Sequence, residues 1–150
     1  VRLGRGAVED VYDESYRFEL GKGRVLKEGK KIALIAAGMM VQEALKAADI
    51  LAKEDISVTV VDMPCIKPID EELIEKIAKS HELIITCEEH NVYGGLGSAV
   101  SEVASKKSPV RMEMMGMQDT FGESGTPNEL LAKYGLNADH IVEKVRNEYR

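Results

Sequence analysis

The chain has 150 residues and a formal net charge of −6, with 44% hydrophobic and 31% charged residues, the proportions of an ordinary globular domain. That acidic balance argues against a nucleic-acid or anionic-membrane partner, because both reward clustered Lys and Arg, and no apolar run approaches the roughly 18 residues that span a bilayer. Cys65 and Cys87 stand far apart without CxxC spacing and read as the reduced thiols of a cytoplasmic protein.

The chain opens at Val1 rather than Met, and "VRLGRG" reads as the continuation of an upstream segment. Residues 1–29 carry no sustained period and are punctuated by Gly4, Gly6, Gly21, Gly23 and Gly29, which predicts an extended lead-in. Within it "RVLK" predicts a short strand, and "IALIAA" a second strand, apolar throughout as one covered on both faces should be. Val41, Ala44, Leu45, Ala48 and Leu51 fall at helical spacing and form one stripe. "SVTVVD" is the next strand. "PCIKP" is a loop, and Asp70 is placed to cap a helix whose inner face carries Leu73, Ile74, Ile77 and Ala78. "ELIITC" predicts another strand. After the "EEHNVYGGLG" stretch, Leu96, Ala99, Val100 and Val103 line a further helix.

"PVRMEMM" alternates imperfectly, as a strand near a sheet edge does, and two short helices over roughly 128–134 and 138–149 close the chain, with Gly135 as a stop signal. Strands alternating with helices predict an α/β fold: a three-layer α/β/α sandwich on a mostly parallel, mixed sheet of about five strands, occupying residues 30–150 as one domain.

The stretch from Cys87 to Val100, "CEEHNVYGGLGSAV", concentrates the chemistry-bearing residues between a strand and a helix. A dinucleotide fingerprint fails there, because the glycine spacing lacks its third member. Glu88 and Glu89 would also repel a pyrophosphate at the helix N-terminus. No Gly-Lys-Ser/Thr loop occurs, and no Gly-x-Ser-x-Gly elbow; "GESG" is one residue short. Glu88, Glu89 and His90 are adjacent, so in extended backbone they point apart, and they predict no metal site. His81 and His140 read as solvated surface histidines.

Several separated motifs nevertheless resemble one family. "TCEEHNVYGGLGSAVSEV", "DMPCIKPIDEELIEKIAKS", "DTFGESGTPNELLAKYGL" and the lead-in "RLGRG…FELGKGRVLKEG" are similar, in this order, to the C-terminal domain of transketolases. The same domain type closes 1-deoxyxylulose-5-phosphate synthases and the β subunits of 2-oxo-acid dehydrogenases, where it helps dock a partner. The Glu-Glu-His of residues 88–90 and the Phe-Gly-Glu-Ser-Gly of residues 121–125 favour transketolase. The compact lead-in resembles the small bacterial and archaeal type, often split into two polypeptides.

The resemblance implies an enzyme of the pentose phosphate pathway that moves a two-carbon ketol unit between sugar phosphates, using thiamine diphosphate and Mg²⁺ or Ca²⁺. In the family these are held by two upstream domains, one for the diphosphate and metal, one for the pyrimidine. This sequence has no Gly-Asp-Gly metal-diphosphate motif and matches only the last residues of the pyrimidine domain. The resemblance therefore implies no catalytic residue and no metal ligand in this chain, inactivity in isolation, and partners in the upstream domains or an N-terminal subunit within a homodimer. It places Arg5 where the family grips the sugar phosphate, and guanidinium chemistry suits that task. Gly4 departs from the more usual Ser or Pro before it. Glu88, Glu89, His90, Gly95 and Gly97 are then expected in a structural loop facing a domain or subunit interface. Gly94 and Gly95 would turn the chain with positive φ, and Gly97 would allow close backbone packing.

Overall fold

The computed structural model describes residues 8–149. Five strands, β1 (Arg24–Lys27), β2 (Ile32–Ala36), β3 (Thr59–Asp62), β4 (Leu83–Asn91) and β5 (Arg111–Met117), form one sheet in the order β1-β3-β2-β4-β5. β2 pairs in parallel with β3 and β4, and β4 with β5, while β1 is antiparallel to β3. This is the predicted mixed sheet. β1, the short strand expected at "RVLK", follows straight into β2 in sequence yet pairs with β3. The sheet thus reaches into the stretch expected to be lead-in.

The alternation of side chains along each strand divides the core into two. On one face Ile32, Leu34 and Ile85 pack with α1 (Met40–Ala52) and α5 (Ala138–Glu148). On the other, Ala33, Ile35, Val61 and Ile84 pack with α2 (Glu71–Ser80) and α3 (Leu96–Lys107). Every residue of β2 is buried, as its unbroken apolar run requires. A short helix, α4 (Pro127–Lys133), follows β5 and lies over the first face through Leu131. Helix signals act where the sequence places them: Asp70 accepts a hydrogen bond from the Leu73 N–H at 3.1 Å, and Gly135 ends the α4 segment with φ +70°.

The lead-in is packed against this frame. Tyr12 and Tyr16 stack at 3.9 Å, Arg24 lies over both rings, and the Tyr12 hydroxyl donates to Asp62 at 2.7 Å. Burial holds the Asp62 carboxyl above the usual range, partly offset by that hydrogen bond. His81 is better held than a solvated histidine. Its Nε2 lies 2.8 Å from the Thr59 hydroxyl and its Nδ1 3.0 Å from the Ile77 carbonyl, joining the end of α2 to β3. His140 is exposed, with Nδ1 2.6 Å from Asn137 Oδ1.

The chain runs from β2 to β3 on one side and then crosses to β4 on the other, with the connecting helices on opposite faces. Open α/β sheets place ligand crevices at such a switch, outside the carboxyl ends of the strands. Here those ends are Ala36 and Cys87, which lie side by side.

Candidate functional site

β4 does not stop at Cys87; it runs on to Asn91, so Glu88, Glu89 and His90 are strand residues with alternating directions. Glu88 turns inward and is 4% exposed. Its carboxylate accepts the backbone N–H of Leu96 at 2.7 Å and of Gly97 at 2.9 Å. Those are the orphan donors at the start of α3, where negative charge is favoured by both hydrogen bonding and the helix dipole. The expectation of a surface-facing Glu88 gives way to this finding: within the chain its carboxylate is already spent as a helix cap. Glu89 and His90 are exposed, with His90 Nδ1 3.0 Å from the Asn91 carbonyl.

The loop that follows satisfies itself. The Tyr93 N–H donates to Asn91 Oδ1 and the Gly94 N–H to Ser98 Oγ, both at 2.9 Å, while the Ser98 hydroxyl donates to the Val92 carbonyl at 3.0 Å. Asn91 Nδ2 ties the loop to Asp119 beyond β5.

The glycines divide the work differently from the expectation. Gly94 has φ +74°, as a reversal needs, but Gly95 has φ −96°. What Gly95 requires is room: a Cβ there would sit 2.1 Å from Glu88 Oε2 and 2.7 Å from the Asn91 carbonyl. Gly97 is also a close approach, to side chains rather than backbone. Its Cβ would meet Met114 Sδ at 2.7 Å and Thr86 Oγ1 at 2.8 Å.

Beside Glu88 lies Cys87, fully buried, its thiol pushed up to about 12 by burial and then by the Glu88 charge. A thiol held protonated is a poor nucleophile. Iodoacetamide at pH 8 is therefore expected to label Cys87 only as fast as the fold opens, which timed mass spectrometry reads. Labelling of Cys87 within seconds in native buffer would contradict the closed site.

Two concavities border the carboxyl ends of the strands. A cleft of about 220 Å³ at the switch point is edged by Gly38, Pro64, Ile66, Glu88, Glu89 and His90. A larger one of about 360 Å³ lies between α1 and α4, lined mainly by Met39, Met117, Leu130, Leu131, Tyr134 and Leu136. Glu89 borders both. The local reading missed the second cleft, because its wall is assembled from residues up to 97 positions apart in the chain (39 to 136).

These residues do not fit thiamine diphosphate. The N-terminus of α3 is filled by the chain's own carboxylate, and a diphosphate in the cleft beside it, where α1 also starts, would confront Glu88 and Glu89. Among the described residues no group of three or more His, Cys, Asp and Glu could hold a metal ion, and no helix is long and apolar enough to cross a membrane. Arg5 lies outside the described residues.

Comparison with known proteins places this geometry. The family model described as the transketolase C-terminal domain matches residues 21–141. The chain belongs to the transketolase C-terminal domain family. A protein of Methanocaldococcus jannaschii named as a transketolase C-terminal section is 42% identical over the whole chain, which covers 48% of that protein. A 1-deoxy-D-xylulose-5-phosphate synthase of Desulforudis audaxviator is 44% identical over 87% of the chain, corresponding to 21% of the synthase. Among solved structures, a split-gene transketolase described as an inactive β4 tetramer is 48% identical with a TM-score of 0.90, over 95% of this chain and 47% of that one. The chain thus spans about half the length of these two transketolase relatives and about a fifth of the synthase. The predicted family and the α/β architecture both hold.

Proposed function

We propose that this chain is the C-terminal part of a thiamine-diphosphate-dependent transketolase that works in the cytoplasm as a homodimer, transferring a two-carbon ketol unit between sugar phosphates. The domain serves assembly, and the cofactor with its Mg²⁺ or Ca²⁺ binds in upstream domains or an N-terminal subunit. The observation that carries this reading is the 48% identity and TM-score of 0.90 to the split-gene transketolase over nearly the whole chain. The spent helix cap at Glu88 supports a domain without cofactor chemistry of its own. Glu89 and His90, exposed at the switch point, are then contacts to a neighbouring domain or subunit, carried on a rim held in shape by Gly95 and Gly97. The 44% identity to the deoxyxylulose-phosphate synthase favours a second reading, in which the same domain completes that enzyme instead.

In the intact enzyme Arg5 grips the sugar phosphate. Arg5→Ala is expected to weaken phosphorylated substrates by about 1.5–3 kcal/mol, the scale of a hydrogen bond to a charged group, while sparing unphosphorylated analogues. Steady-state kinetics on ketose and aldose phosphates test this. Equal losses for both substrate types would make Arg5 structural, and an intact enzyme that forms 1-deoxy-D-xylulose 5-phosphate but moves no ketol group would select the second reading.

A further inference from the structure

We propose that the carboxyl rim of the sheet docks a protein segment carrying an apolar side chain beside a lysine or arginine, supplied by the part of the enzyme outside this chain. The inference rests on the proposed reading only for the source of that segment. Three loops leave this rim, and each carries a large apolar side chain into solvent: Ile66 after β3 is 37% exposed, Tyr93 after β4 is 73% exposed, and Phe121 after β5 is 99% exposed. Scattered singly, such residues need no explanation, but two of the three stand at the clefts of this rim. Phe121 precedes Gly122, which edges the apolar cleft between α1 and α4, and Ile66 edges the switch-point cleft. At about 360 Å³ the apolar cleft accommodates a Leu, Met or Phe side chain with room to spare. Tyr134 lines it, and the Tyr134 hydroxyl is buried with no hydrogen-bond partner among the described residues. A buried donor left unpaired is costly, so a partner that lets the Tyr134 ring turn its hydroxyl to an acceptor would gain from this position.

Charge decides what kind of partner fits. Glu89 stands between the two clefts and has no hydrogen-bond or ion-pair partner among the described residues. Asp119 and Glu123 lie on the loop after β5, and Lys133, the cation of α4, is already held by Glu123 at 2.6 Å. Glu123 and Lys133 thus offset each other and Lys67 stands beside Ile66 at the switch-point cleft, so the negative excess beside the apolar cleft is Glu89 together with Asp119. It complements a basic flank and opposes a second copy of this chain, whose net charge is also −6.

Amide hydrogen exchange in the 150-residue chain and in the whole enzyme tests the proposal. Amides of residues 118–124 and 130–134 are expected to exchange at least tenfold more slowly in the whole enzyme. Phe121→Ser and Glu89→Lys, both at exposed positions, should each restore fast exchange there without changing the melting temperature of the 150-residue chain. Equal exchange in the two contexts would overturn the docking face, as would protection that survives both substitutions. Sedimentation of the 150-residue chain is expected to give monomers; a dimer abolished by Phe121→Ser would assign the rim to a second copy and overturn the basic partner. Ketol transfer is read separately, so protection without transfer would sink the transketolase reading alone, and transfer without protection the docking face alone.

Discussion

Glu88→Ala should lower the stability of the chain by about 3 kcal/mol, because two hydrogen bonds to a charged acceptor are lost and the donors are left buried. Leu96 is fully buried and Gly97 is also buried, so water has no easy route to replace the carboxylate. For a chain of this length the loss corresponds to a fall of roughly 6–12 °C in melting temperature. The surroundings of Glu88 are built for it: Gly95 leaves space for Oε2, and a Cβ at Gly116 on β5 would come within 3.1 Å of Glu88 Cγ. Gly95→Ala should therefore cost at least as much as Glu88→Ala by expelling the cap, and the double variant should fall short of the sum, keeping only the added clash with the Asn91 carbonyl. Thermal unfolding of the three variants reads this out. An unchanged melting temperature for Glu88→Ala, with weakened assembly of the whole enzyme, would return Glu88 to an interface role.

Gly97→Val should cost about 1–3 kcal/mol as an overpacked core position. The new side chain would enter the space of Met114, which is flexible, and of Thr86, which is fully buried in β4 and cannot yield. Shortening Met114 to Ala in the same chain should recover part of the loss, and denaturant unfolding measures both. Full stability in Gly97→Val would mean that α3 can lift off β4, contrary to the close contact seen here.

How much of this was legible follows from the range of each signal. β2, α1, α2 and the Asp70 cap are written in short-range patterns, an apolar run or a 3.6-residue stripe, and they stand where those patterns put them. The pairing of β1 with β3 is a contact across some 35 positions, and nothing local in "RVLK" distinguishes it from a hairpin with β2. The end of β4 was misread for a related reason. Glu88, Glu89 and His90 look like loop residues because charge usually means solvent, but Glu88 is buried against donors eight and nine positions away. Gly95 looked like a turn glycine, and only the position of the Glu88 carboxylate reveals that its constraint is contact. The apolar cleft had no signature at all, since it is made where the ends of β4 and β5 meet α1 and α4.

The central claim is that "EEHNVYGGLG" is a self-capped structural loop and that cofactor chemistry is carried by other domains. Isothermal calorimetry of the 150-residue chain with thiamine diphosphate and Mg²⁺ tests it most directly. No binding heat is expected, because the N-terminus of α3 is closed by Glu88 and the cleft at the switch point is edged by the carboxylates of Glu88 and Glu89. Micromolar binding by the chain alone would contradict it.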